Sequence, residues 1–176
     1  YMHAIGIMHR DIKPDNILMS NELVCKISDF GVSKMIWESG SDLVHQSVGT
    51  PAFMSPELCH IGAVESHGYS DDVWALGITL YALLMGRLPF YRDDLFELYE
   101  AIQHDELCLN DCRASLACQD LLRSMLDKAE PNRISVPDMF KHPWVTDHGR
   151  DPMPPLTLTD DKAIRSEEHT SELQSH

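Results

Sequence analysis

His9-Arg10-Asp11-Ile12-Lys13-Pro14-Asp15-Asn16 gathers two carboxylates, two cations and an amide within eight residues, and Asp29-Phe30-Gly31 follows after two short apolar runs. These side chains suit the movement of a phosphoryl group. Such a reaction passes through a loose transition state, so it needs in-line positioning and charge neutralisation more than covalent chemistry. A carboxylate such as Asp11 can receive the proton of an acceptor hydroxyl. Asn16 and Asp29 offer the hard oxygen ligands that magnesium prefers, and Lys13 supplies a cation for developing charge. Each residue also has a plainer reading alone: Asp11 and Asp29 as loop-capping carboxylates, Asn16 as a turn residue, Arg10 as the partner of a local carboxylate, Asp15 as a solvated surface charge. It is the grouping that favours chemistry.

The elements that must hold these residues are short at first and helical later. Tyr1 to Ile5 reads as the end of a helix. Ile17-Leu18-Met19 and Val24-Cys25-Lys26-Ile27, separated by Ser20, Asn21 and Glu22, predict a two-stranded hairpin between the two groups of polar residues. From Asp29 to about Ser70 the chain turns to Gly, Ser, Pro and His with little apolar period, a length of loop that is usually functional. Ser70-Asp71-Asp72 is expected to cap a helix running through Trp74 and Leu80 to Gly86. Asp93 and Asp94 precede Leu95, Leu98, Tyr99 and Ile102, which fall on one helical face. Ser115 opens a third helix striped by Leu121, Leu122, Met125 and Leu126. Ser135 and Asp138 resemble a capping box for a short fourth helix. The fold class is therefore mainly α, with one small hairpin and no internal repeat.

The chain ends are expected to be artificial. Tyr1 starts inside an element with no cap before it, which predicts N-terminal truncation. Residues 146–164 are expected to form an extended, acidic, proline-containing linker, since Asp151-Pro-Met-Pro-Pro disfavours helix. Residues 165–176 resemble a translated sequencing-library adapter.

Charge and composition exclude several functions. The 176 residues carry 28 Asp and Glu against 14 Lys and Arg, a formal charge of −14, with 43% hydrophobic content. Residues 165–176 hold one Arg and three Glu, so the remainder is still −12. A chain this acidic is ill-suited to nucleic acid or an anionic membrane surface. The longest apolar run, Val73 to Met85, is shorter than the ~20 residues of a membrane-spanning helix. Five cysteines without paired C-x-x-C spacing predict reduced thiols rather than a zinc site, and a cytoplasmic or nuclear setting.

Read together and in order, H-R-D-I-K-P-D-N, D-F-G, G-T-P-A-F, S-P-E and the Trp74-containing helix resemble the C-terminal lobe of a eukaryotic serine/threonine protein kinase over residues 1–145. The resemblance implies a catalytic loop at 9–16 and an activation segment at 29–57, and it implies ATP and Mg2+ as cofactors. Asp11 would be the catalytic base, Asn16 and Asp29 the magnesium ligands, and Lys13 the cation near the γ-phosphate. Lysine two places after the catalytic Asp is the serine/threonine pattern. Arg10 would sense the activation segment, and the Thr50 hydroxyl would bridge towards Asp11 and Lys13. Ser47 and Thr50 are candidate phosphorylation sites. Asp72 would hold the catalytic-loop backbone, and Glu57 with Arg133 would form a buried ion pair.

Asp29-Phe-Gly-Val-Ser33, Val48-Gly-Thr-Pro-Ala-Phe-Met54 and His142-Pro-Trp-Val-Thr-Asp-His-Gly149 are similar to the calcium/calmodulin-dependent protein kinase kinases and to fungal kinases that activate the AMP-activated kinase family. That implies a protein substrate, with the activation loop of a downstream kinase as the expected target. No basic amphipathic helix from Asp151 onward supports calmodulin binding. The given sequence holds no glycine-rich phosphate loop and no strand lysine, so the N-terminal lobe is expected to be absent and this chain alone inactive. The competing reading is a non-catalytic, pseudokinase-like binding module.

Overall fold

The computed structural model describes residues 1–36, 41–44, 48–60 and 66–154. The candidate phosphosite Ser47, parts of the 29–57 segment, the second half of the expected linker and the adapter-like residues 165–176 lie outside the described residues.

Two antiparallel ladders set the site's frame. β1 (Ile7–Met8) pairs with β4 (Lys34–Met35), matching Ile7 to Met35 and Met8 to Lys34. Inside that pair lies the expected hairpin, β2 (Ile17–Met19) with β3 (Cys25–Ile27), in the register Ile17 to Ile27. Chain geometry does the rest: residues 9–16 and 28–33 are bracketed between the two ladders and must run side by side. A third ladder joins β5 (Leu43–Val44) to β6 (Ser66–His67). The stretch from Asp29 to Ser70 is thus less irregular than its composition suggests, because backbone pairing uses no side-chain period.

Among the described residues four α-helices follow: α1 (Gly68–Met85), α2 (Leu95–His104), α3 (Leu116–Met125) and α4 (Val136–Met139). Trp74, Ile78 and Tyr81 of α1 meet Ile102 of α2 and Leu122 of α3 in the main core. Each such fully buried side chain contributes about 1.5–3 kcal/mol. A smaller cluster joins Val73, Leu121 and Met125 to Ile134, Val136 and Met139. α1 and α3 approach so closely at Gly77 that a Cβ there would lie 2.9 Å from the Leu126 side chain. Asp94 caps α2 by accepting from the backbone N–H groups of Phe96 and Glu97, and Ser115 and Ser135 cap α3 and α4.

Three expectations need correction. Ser70-Asp71-Asp72 does not cap α1, which begins at Gly68 with His67 in the cap position and no side-chain cap bond. Asp71 and Asp72 are buried, so both carboxylates must meet donors inside the protein and are not available to the helix end. Leu95 does not join the buried stripe of α2; it is 51% exposed, one turn before Leu98 reaches the core. Residues 146–150 are not extended: Thr146 is buried and bonded to the His142 carbonyl, and Asp147, His148 and Gly149 take positive φ in a turn closed by Asp151 N–H on Thr146 O. No described helix is long and apolar enough to cross a membrane.

Candidate active site

The loop after β1 is fixed from beneath. Asp72, near the start of α1, accepts from the backbone N–H groups of His9 and Arg10, each at 2.8 Å, and from His3 Nε2 at 2.7 Å. Three donors on one buried carboxylate hold the loop to the helical core and support Arg10 at its left-handed φ of 68°. His9 is fully buried. Its Nε2 donates to the Ser28 carbonyl at 3.0 Å while Nδ1 accepts from Asp11 N–H at 3.3 Å, an arrangement that one tautomer satisfies. His9 thereby ties the 9–16 loop to the strand leading into Asp29.

Asp11 is the hub. Oδ1 accepts from the Thr50 N–H at 3.0 Å and the Thr50 hydroxyl at 2.8 Å; Oδ2 accepts from Lys13 Nζ at 2.8 Å and Asn16 Nδ2 at 3.1 Å. Burial alone would raise the Asp11 carboxyl, but the Lys13 and Thr50 contacts outweigh it and hold it below its usual range. It is an ionised carboxylate with all four acceptor positions used. Lys13 Nζ also donates to Thr50 Oγ1 at 2.8 Å, closing a triangle with Asp11.

Asn16 gives its amide nitrogen to Asp11 twice, to the backbone carbonyl at 2.8 Å and to the carboxylate. Both partners are acceptors, so the amide orientation is unambiguous and Oδ1 is the end left for a ligand. Ser28 N–H donates to the Asn16 carbonyl at 2.9 Å, which places Asp29 one residue from the Asn16 backbone. Asp29 is exposed at a positive φ of 61°, and its Oδ1 accepts from Gly31 N–H at 3.3 Å. An amide oxygen and a little-engaged carboxylate on adjacent strand ends form the hard donor set that magnesium takes alongside phosphate oxygens. Among the described residues no group of three His, Cys, Asp or Glu side chains could hold a metal by itself.

Arg10 reaches the 29–57 segment through its backbone: Nε donates to the Val32 carbonyl at 2.6 Å, and burial lowers its pKa. Asp15 is exposed on the Pro14–Asn16 turn. Glu57 and Arg133 form a two-pronged ion pair at 2.5 and 2.9 Å, with Arg133 also bonded to Ser70 and to the Asp127 carbonyl and lying over the Trp74 ring.

Two features escape motif reading. Gly49, at φ 113°, passes so close to the 9–16 loop that a Cβ would stand 2.5 Å from the Arg10 carbonyl. Asp71 accepts from the Ser55 hydroxyl at 2.6 Å and the Ser66 hydroxyl at 2.7 Å, tying both sides of the segment's end to α1. Burial, with Glu57 nearby, pushes Asp71 up to about 7. The signal available in the sequence was the Asp71-Asp72 doublet set directly before the apolar run at Val73.

This constellation of an ionised hub carboxylate, a lysine, an amide and a second carboxylate on a paired strand end accompanies a match to the protein kinase domain over residues 1–145, and the chain belongs to the protein kinase family. It is 42% identical over 155 residues to the calcium/calmodulin-dependent protein kinase kinase cmkC of Emericella nidulans, covering 88% of this chain and 30% of that protein. It is 38% identical over 184 residues to the serine/threonine-protein kinase ssp1 of Schizosaccharomyces pombe, covering 99% of this chain and 28% of that one. It is 37% identical over 145 residues to the serine/threonine-protein kinase GRIK2 of Arabidopsis thaliana, covering 82% and 35%. The chain spans about a third of the length of these curated relatives.

Proposed function

We propose that this chain is the helical, C-terminal lobe of a serine/threonine protein kinase that moves the γ-phosphate of ATP to a hydroxyl of a protein substrate. The observation that carries the reading is the Asp11 hub, where Lys13, Asn16 and Thr50 converge on one carboxylate beside the strand end that bears Asp29. Mg2+ bound by Asn16 Oδ1 and Asp29 would neutralise phosphate oxygens during transfer.

The chain's own residues do the positioning. Asp11, kept ionised, accepts the hydrogen bond of the acceptor hydroxyl and aims its oxygen. Because all four acceptor positions are filled, the hydroxyl enters by replacing one donor, and Thr50 Oγ1 is the one whose partner Lys13 can retain it. Lys13 keeps a positive charge within reach of the group in transit. Asp72 and His9 hold the loop so that none of this geometry has to be assembled at the moment of reaction.

The word kinase twice over in the Emericella relative's name supports a downstream protein kinase as the substrate class. The test uses the full-length protein carrying this chain. Wild type should transfer labelled γ-phosphate from ATP to Ser or Thr of a protein kinase substrate, and Asp29→Ala should abolish transfer. Equal labelling by wild type and Asp29→Ala would overturn the assignment.

A further inference from the structure

The exposed side of α2 carries a groove that the transfer chemistry does not use. It has a volume of about 570 Å3, with Cys59 and Tyr99 at its floor and Leu95, Phe96, Glu100 and Gln103 along its walls. Phe96 is 61% exposed and Leu95 51%, so two large apolar side chains stand side by side in solvent at the groove. Phe96 is also shared with a second depression bordered by Glu97 and Ala101, so its ring is open on two flanks.

The surroundings are one-sided in charge. Residues 91–106 contain six acidic residues and a single Arg, and that Arg92 is already engaged by Asp105 at 2.6 Å. Among the described residues the groove is lined by Asp94 and Glu100 and by no Lys or Arg, with His60 its one side chain able to carry positive charge. A second copy of a chain with a charge of −14 would bring like charge against it.

The groove also connects to the catalytic centre. Gln103 Nε2 donates to the Cys59 carbonyl at 3.4 Å, seating α2 on the Pro56–Cys59 turn that ends the 29–57 segment. Tyr99 Oη lies 3.7 Å from Met54 Sδ, and Met54 lines the small cavity that also contains Asp11 and Thr50. An acceptor peptide lying at Thr50 therefore leaves the groove within reach of the same substrate molecule.

We infer that the α2 groove is a docking site for a segment of the protein substrate in which bulky apolar side chains are flanked by Lys or Arg. The apolar anchors would seat against Phe96 and Tyr99 while the basic flanks meet Glu97, Glu100 and Asp94. The inference deepens the kinase reading and rests on it for the identity of the partner.

The test uses the full-length protein and a fluorescent twelve-residue peptide with two Leu and one Phe among Lys and Arg, against the same peptide with Glu at the basic positions. The basic peptide should bind at least tenfold more tightly. Phe96→Ser and the double variant Glu97→Lys/Glu100→Lys should each weaken it about tenfold with the thermal midpoint unchanged, while Leu116→Ser, at a residue 83% exposed on α3, should change nothing. With a protein substrate, Phe96→Ser should raise KM and leave kcat and the turnover of a short acceptor peptide intact. Equal affinity for both peptides, or indifference to Phe96→Ser, would overturn the docking site, as would a dimer in gel filtration that Phe96→Ser dissolves. Phosphate transfer without Phe96-dependent binding sinks the groove alone; Phe96-dependent binding without transfer sinks the kinase reading alone.

Discussion

Two carboxylate–cation pairs in this protein look alike on a contact map and differ in their access to solvent. Glu57 and Arg133 are 10% and 0% exposed, and the guanidinium is used on every side, by Glu57, Ser70 and the Asp127 carbonyl. Asp11 and Lys13 are 13% and 23% exposed, and both contact Thr50 at the mouth of the site. The first pair is sealed, so its charges must be satisfied inside the protein, and the pair contributes to holding the segment end on the helices. The second is open enough for a donor to be exchanged, which is what a reacting hydroxyl requires. On the proposed function, this difference in exposure separates a structural pair from a reactive one.

The largest effect should come from breaking the sealed pair. Arg133→Ala strands a buried carboxylate and should lower unfolding free energy by about 3–5 kcal/mol, read by chemical denaturation. Replacing both Glu57 and Arg133 by Met should recover most of that loss, because neither charge is then left unpaired. Failure of the double replacement to recover would assign the loss to packing on Trp74 instead.

Gly49→Ala acts where the segment crosses the open site. The new Cβ meets the Arg10 carbonyl in a backbone conformation that L residues rarely adopt, so a cost of about 1–3 kcal/mol is expected. Phosphate transfer should fall with it, since the Thr50 N–H is displaced from Asp11. Full activity in Gly49→Ala would show that the Asp11–Thr50 contact is dispensable.

Next in size, per pH unit, is a titration effect at the sealed region. Asp71 is raised in the folded state to about 7, so its stabilising contribution is complete below about pH 4, its unfolded value, and is lost as pH rises through 7. Glu57, lowered by Arg133 against the opposing effect of burial, contributes in the other sense and is lost only in acid. Asp71→Asn should therefore remove a downward slope of at most about 1.4 kcal/mol per pH unit between pH 4 and 7. Parallel stability curves for wild type and Asp71→Asn would refute the burial of a neutral acid there.

The smallest effect lies outside both regions. Asp94→Ala removes the cap of α2 and should cost about 1 kcal/mol in a thermal melt.

How much of this could be read from residues alone follows the same division. The hairpin at 17–19 and 25–27 and the helix starts at Ser115 and Ser135 were legible because they depend on neighbours in sequence. The contacts of Asp11 with Thr50 and of Glu57 with Arg133 were legible only through family resemblance, since their partners are 39 and 76 residues away. Asp71 was misread as a helix cap. Its true partners, Ser55 and Ser66, come from the loop and β6, and the Asp71-Asp72 doublet before the apolar run, the one local signal, does not say which donors it will meet. Nor does composition reveal that Leu95 turns outward while Leu98 is buried, because both fit the same helical stripe. The β1–β4 ladder was invisible for a similar reason: two residues per strand are too few to show a period.

Asp11→Asn in the full-length protein tests the central claim most directly. The substitution keeps size and some hydrogen bonding but removes the charge that receives the hydroxyl proton. The account predicts a fall in kcat of about 10²–10⁴, with unfolding free energy changed by no more than about 1 kcal/mol because the Lys13 pair is partly solvated. Unchanged kcat, or a loss of activity that simply follows unfolding, would contradict it.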